Sequence, residues 1–550
     1  MYIVLLDGYV DEPSCLGVPP FISPYVRYTA GAIKEAGHEF TYLTIDEYRN
    51  NSPKNKALKN AKLLAIIGGA IVPGKYLRGT PASIPEIKNI AENFKGTKIL
   101  GGPIAKFGFS GDRKIKDLVN IFDFLPKSDP DAFIFDLLSE KSQNDRLRTE
   151  KEWRNWAIKG SSVITQHPDF PNPLIIELET YRGCVRFFTG GCSFCIEPLF
   201  GEPKFREPKD IIDEVGALNK FGAVNFRLGA QSCIFSYKIE DIGSSETPKP
   251  RPEIIEKLLS GVRNAVLNLE VLHTDNANPA VIAEHPNEAK RILKALVKYC
   301  TSGNVLALGM ESADPKVIAA NNLNATPDQV LKAIELINEY GAKRGENGMP
   351  KLLPGINFLS GLSGESKRTF EHNFKFLKDI LERDLLLRRI NIRQVAFVRN
   401  KFDVKIHHTD FLRFKRMVRE EIDINMLKLI LPTKTVLKRV FLEKVQGNVT
   451  FGRQIGTYPL LVGIPYQTPL NTFKDVIITD HGFRSVTGIE YPLNVNSASL
   501  KALSSLPGIG KKRAARIVLA RPFSSQQDFL SSLDDEKVAN SVLDYISFNR

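Results

Sequence analysis

The chain has 550 residues, 43% of them hydrophobic and 25% charged, and a formal charge of +13. That length predicts several domains rather than one, and the basic balance favours a polyanionic partner. No apolar run is long enough to span a bilayer, and six cysteines do not make a secreted disulfide framework, so a reducing, cytoplasmic setting is expected.

Residues 1–145 alternate apolar runs with helix-like segments. Tyr2–Asp7, Glu39–Thr44, Leu63–Gly68 and Thr97–Gly101 read as strands, and Ser23–Ala36 as a helix ending at Gly37. The alternation predicts a doubly wound, Rossmann-like sheet with a crevice at the carboxyl ends of its strands. Gly68, Gly69, Gly101 and Gly102 fall at those ends, where tight turns explain them as well as a ligand would. Residues 146–170 are polar, hold both tryptophans (Trp153 and Trp156) and read as a docked connector.

From 171 to 400 the alternation resumes with longer spacing. Pro173–Thr180, Ala223–Gly229, Leu267–His273, Val305–Glu311, Leu353–Ser360 and Arg389–Phe397 read as strands separated by helices. Six such units predict a barrel or three-quarter barrel with its chemistry at the strands' carboxyl ends. The first strand runs into Cys184-x7-Cys192-x2-Cys195, where three thiolates in one glycine-rich loop can converge on an inorganic centre. Zinc with Cys233 as a fourth ligand, a redox dithiol that leaves Cys184 unexplained, and an iron–sulfur cluster with one open iron all remain open on spacing alone.

Residues 401–490 change character: Phe402–Leu427 is basic and helical, and Val436–Pro492 reads as a small β-rich or mixed module. Residues 491–550 carry Leu506-Pro507-Gly508-Ile509-Gly510 followed by Lys511, Lys512, Arg513 and Arg516. That stretch resembles a helix-hairpin-helix motif, with Asn496 or Ser497 capping its first helix and Ser524–Phe529 as a second, less perfect copy. In such a motif Gly508, Gly510 and the four basic residues meet phosphates of a nucleic acid; a hairpin serving protein contacts is the alternative.

The stretch 173–400 resembles the radical S-adenosylmethionine superfamily, whose usual motif is Cys-x3-Cys-x2-Cys; here the first spacing is seven. Phe194 matches the aromatic residue near the adenine. Gly229 and Gln231 lie where the family contacts the methionine amino group, Glu311 and Ser312 where it meets the cofactor's polar groups, and Gly361 in the segment that seats the adenine. The resemblance implies an α/β fold built on a partial (β/α)6 barrel and a [4Fe-4S] cluster on Cys184, Cys192 and Cys195. It also implies S-adenosylmethionine at the open iron and an electron donor such as ferredoxin or flavodoxin. His273, Asp275 and Asn276 end the third strand and are candidates to face substrate, with turn and capping roles as an equal alternative.

A doubly wound domain ahead of such a barrel is similar to the cobalamin-binding arrangement of some radical methyltransferases. The Asp-x-His-x-x-Gly signature is absent from Asp7–Glu12, so cobalamin is possible but lacks its axial histidine. Methylthiotransferases carry a second three-cysteine cluster in this region, which here holds only Cys15. The whole resembles a group of radical enzymes with a helix-hairpin-helix tail. The expected activity is reductive cleavage of S-adenosylmethionine to modify a nucleic acid, RNA favoured. Action on a protein or small molecule, including cobalamin-dependent methyl transfer, and a non-catalytic iron–sulfur nucleic-acid-binding protein are the alternatives.

Overall fold

The computed structural model describes residues 1–12, 14–69, 78–108, 116–395, 399 and 408–548. The first strands are β1 (Tyr2–Asp7), β2 (Phe21–Ile22), β3 (Glu39–Thr44), β4 (Leu63–Ile67) and β5 (Thr97–Gly101). β1 and β4 are nearly continuous apolar runs, buried on both faces as central parallel strands are. They form a parallel sheet in the order β3-β1-β4-β5. β2 leaves that sheet and pairs in parallel with a strand of the next unit, Phe21 opposite Ile175. Helix α1 (Pro24–Glu35) follows it and packs on the connector, where helix Glu150–Lys159 buries Trp156 completely. Thr149 and Glu152 cap that helix reciprocally, which fixes its start.

The second unit contains β6 (Ile175–Glu179), β7 (Asn225–Ala230), β8 (Val271–Thr274), β9 (Asn304–Glu311), β10 (Leu352–Ser360) and β11 (Ile390–Gln394). All their pairings are parallel, in two arcs, β8-β7-β6-β2 and β9-β10-β11, joined by a bridge between Ala277 and Leu308. The helices between them bury one stripe each; Pro286–Tyr299 buries Ala289, Ile292, Leu293 and Leu296 at helical spacing. β8 starts four residues later than its apolar pattern suggests, because Leu267 is fully exposed ahead of it. The end of the expected sixth strand, 396–397, lies outside the described residues.

The expected basic helix is described from His408; its start at 402–407 lies outside the described residues. It runs to Met417, continues through a π-helical turn, Val418–Asp423, and ends with helix Ile424–Ile430. Next come β12 (Val436–Gln446), β13 (Val449–Gln454), β14 (Leu461–Ile464), β15 (Phe473–His481) and β16 (Ser485–Glu490). They close a barrel in the order β12-β13-β14-β16-β15, antiparallel except for β14 against β16. This is a small five-stranded barrel of the OB type.

In the tail, helices Leu500–Leu503 and Lys511–Ala520 form the hairpin, and Gln526–Ser531 begins the second copy. The expected cap is corrected. Ser499, not Asn496 or Ser497, accepts the backbone N–H of Ala502 at 3.1 Å. Asn496 is occupied elsewhere, accepting from Phe523 N at 2.8 Å and donating to its carbonyl at 2.9 Å, which staples the two copies together. Among the described residues no helix is long and apolar enough to cross a membrane.

Candidate active site

A cavity of about 300 Å³ opens at the carboxyl end of the partial barrel and is lined by three units of the chain. Its upper wall is the cysteine loop. β6 ends at Glu179, and after Cys184 the chain makes a 3-10 turn, Phe187–Thr189, closed by Gly190 N on Phe187 O at 3.1 Å. Gly190 and Gly191 then take φ of 79° and 58°, which reverses the chain and returns Cys192 to the cavity. The longer first spacing is thus absorbed as a turn, and Cys184, Cys192 and Cys195 all line the same cavity.

Three thiols on one cavity are a donor set that fits an iron–sulfur cluster with one open iron. Cys233 also lines the cavity, but its sulfur accepts the N–H of Asn278 at 3.2 Å. Burial pushes the Cys184 thiol up to about 11 and the Cys192 thiol up to about 12, so bound cations are what would hold these sulfurs as thiolates. Arg186 supplies one charge already, donating from Nη1 to Cys192 Sγ at 3.2 Å. Its other nitrogen holds the carbonyl of Asn322 at 3.0 Å.

The residues expected around S-adenosylmethionine divide. Phe194 and Glu311 face the cavity. Burial raises the Glu311 carboxyl to about 8, with Arg186 acting in the opposite sense. Gln231 is turned inward, its amide N–H on Leu228 O at 2.9 Å and its oxygen accepting from Thr180. Ser312 Oγ accepts from Asp314 N at 3.1 Å, and Gly361 N donates to Glu365 at 2.8 Å. Gly229 sits against the guanidinium of Arg227. Those four shape the strand ends behind the cavity rather than lining it.

The floor comes from far along the chain. Arg227 is buried between Glu177 and Asp275, paired with both. Asp275 also accepts the hydroxyl of Tyr458 at 2.5 Å, and Tyr458 stands in the β13–β14 loop of the small barrel. In the same loop Thr457 N donates to His273 Nδ1 at 3.1 Å. His273 thus holds this loop, which plugs the floor, and lies behind the cavity lining. Asp275 and Asn276 do line the cavity, Asn276 tied to the carbonyl of Gln231 at 2.9 Å. The front comes from Asp11, Glu12, Ser14 and Leu16, between β1 and β2, where Asp11 pairs with Leu16 and Glu12 with Cys15; Ser14 donates to Glu197, and Glu12 Oε1 is buried with no hydrogen-bond partner among the described residues. Sequence reasoning missed Tyr458, Glu12 and Ser14, which carry no local motif. The alternation of Arg389, just before β11, with Asn391 and Arg393 on it was a legible signal, since one face of a strand repeats every second residue.

In the tail, Gly508 takes φ of 74° and Gly510 caps the helix that starts at Lys511. Lys511 and Lys512 are exposed, whereas Arg513 pairs with Asp534 at 2.9 Å and Arg516 with Asp534 at 3.0 Å. The candidate phosphate contacts thus split into two open lysines and two arginines engaged within the chain.

The radical SAM superfamily profile matches residues 178–377, and the helix-hairpin-helix motif matches 490–533. An uncharacterised protein of Methanocaldococcus jannaschii is 50% identical over 504 residues, covering 88% of this chain and 92% of that one. A tRNA-2-methylthio-N(6)-dimethylallyladenosine synthase of Ectopseudomonas mendocina is 25% identical over 213 residues, 38% of this chain and 41% of the relative. Among solved structures, a radical S-adenosylmethionine methyltransferase from Kitasatospora setae aligns with a TM-score of 0.44 and 13% identity, over 70% of this chain and 72% of that one. With its three cysteines on one cavity at the end of a parallel-strand barrel, the chain belongs to the radical S-adenosylmethionine superfamily and is an enzyme of that kind.

Proposed function

We propose that this enzyme modifies a nucleic acid, RNA favoured, within the cytoplasm, drawing electrons from a ferredoxin- or flavodoxin-like donor. When bound, the cluster and S-adenosylmethionine supply reductive cleavage to methionine and a 5′-deoxyadenosyl radical. The chain's part is to hold the cluster on Cys184, Cys192 and Cys195, seat the cofactor beside Phe194 and Glu311, and exclude water with the Tyr458 plug.

The observation that carries the substrate class is the tail: a helix-hairpin-helix match whose helix opens on exposed Lys511 and Lys512. The OB-type barrel beside it belongs to a fold that often presents a face to oligonucleotides, which supports the reading by analogy. The test is RNA binding by the full chain across a salt series. Replacing Lys511 and Lys512 by alanine is expected to weaken binding for all sequences alike and flatten the salt slope by about 1.5. Binding that ignores both salt and these substitutions would end the nucleic-acid reading.

A further inference from the structure

Most of the deeply buried arginines in this chain sit against carboxylates. Arg27 and Arg206 share Glu214, Arg148 meets Asp129, Asp131 and Glu179, Arg182 meets Asp129 and Glu179, and Arg227 meets Glu177 and Asp275. Two half-buried arginines on the cavity wall break that pattern. Arg389 and Arg393 stand at the foot and on the strand of β11, on the face that lines the cavity, with Asn391 between them. Among the described residues neither has a carboxylate partner. Arg389 donates from Nη1 to Asn357 Oδ1 at 3.3 Å and lies over the ring of Tyr458 at 3.8 Å. Arg393 donates from Nε to Asn391 Oδ1 at 3.2 Å.

These contacts orient two guanidinium groups without neutralising them, and leave most of their N–H donors for something else. The backbone of Arg389 adds a second observation: its φ is 70°, a left-handed conformation that costs free energy for an arginine and is retained where surrounding structure enforces it. Paired guanidinium forks match the oxygens of a phosphate or carboxylate.

We propose that Arg389 and Arg393 form the anion subsite for substrate, taking a phosphate group of the nucleotide to be modified; the choice of a nucleotide rests on the nucleic-acid reading above. The subsite lies on the same cavity as the cysteine loop, so a nucleotide docked there shares that space with the cofactor end.

The test is equilibrium dialysis of the reconstituted full chain, with S-adenosylmethionine present, against each nucleoside 5′-monophosphate, its parent nucleoside, inorganic phosphate and acetate. At least one monophosphate is expected to bind about tenfold tighter than its nucleoside, as a charge-assisted contact implies. Inorganic phosphate competes and acetate competes less. Arg389→Gln and Arg393→Gln each remove the tenfold advantage, and Arg389→Lys, which keeps the charge and guards against a folding defect, restores part of it. Equal binding of nucleotide and nucleoside, or variants that bind phosphate as the parent does, overturns the subsite. So does an Arg393→Gln variant that loses S-adenosylmethionine while keeping the phosphate preference, because the arginine then serves the cofactor. RNA binding measured on the same preparation separates the two readings: RNA held through Lys511 and Lys512 with no phosphate preference at the cavity defeats the subsite alone, and the converse defeats the nucleic-acid reading alone.

Discussion

The first sheet and the barrel are both parallel arrays with glycines at the carboxyl ends of their strands, yet among the described residues the chain packs into one end and leaves a cavity at the other. In the first sheet the chain fills its own crevice. Gly8 N donates to Ile67 O at 2.8 Å, Ala82 N donates to Gly8 O at 2.9 Å, and Tyr9 and Val10 are buried between them. A side chain at Gly69 would come within 2.8 Å of the backbone nitrogen of Asp11. Cobalamin remains a possible cofactor for this domain, without an axial histidine in Asp7–Glu12. In the barrel, Gly190 and Gly191 reverse the loop so that all three cysteines line the cavity. A glycine at a strand end marks a close approach, and what approaches is decided by segments elsewhere in the chain.

The strongest way to break this comparison is at the open end. Replacing Cys184, Cys192 and Cys195 together by alanine is expected to abolish bound iron and 5′-deoxyadenosine formation while the melting temperature of the metal-free chain stays close to that of the metal-free parent. Unchanged iron content would overturn the cluster assignment.

The two ends also carry opposite pH signatures. Burial raises Asp7, in the closed crevice, to about 7, with Tyr42 and Tyr9 hydrogen bonds opposing. Its contribution is fully present below its unfolded value of about 3.9 and lost as pH rises through 7. Burial lowers His273, in the floor, to about 4. Its contribution is present above about 6.5 and lost as pH falls through 4, where Arg227 opposes its protonation and Asp275 favours it. Denaturant unfolding across pH is expected to show Asp7→Asn gaining stability over the parent on the alkaline side. His273→Gln should gain on the acid side, each by up to about 3 kcal/mol. Parallel curves for parent and variant would refute the assignment.

Gly69→Val sharpens the contrast further. Overpacking the closed crevice should cost about 2 kcal/mol of stability with little change in cleavage of S-adenosylmethionine by the folded fraction. Tyr458→Phe is the mildest change: it removes one hydrogen bond to Asp275 and should cost about 1 kcal/mol, while raising uncoupled 5′-deoxyadenosine formation as the floor admits water. A fully stable variant with unchanged coupling would show that the plug is not a seal.

The barrel was legible because each strand is a short apolar run followed by an amphipathic helix, and because three cysteines cluster within twelve residues. What closes the cavity was not. Tyr458 and Asp275 are 183 residues apart, as are Ser14 and Glu197, and no periodicity links such pairs. The roles of Gln231 and Ser312 were read from motif position, but local hydrogen bonds turn both side chains inward. Asn496 fits a cap by residue type, yet its amide satisfies more groups by bridging to Phe523, and Ser499 is left to cap.

The crossing of β2 bears on how the chain is made. Phe21 and Ile22 leave the ribosome well ahead of their partners Ile175 and Ile176, which follow about 150 positions later. At the usual pace of synthesis the β2 edge waits roughly 8–30 s, exposed, before its neighbour arrives. The first sheet can therefore form without β2, whereas the barrel arc β8-β7-β6-β2 is edged by a segment made about 150 residues before its neighbour.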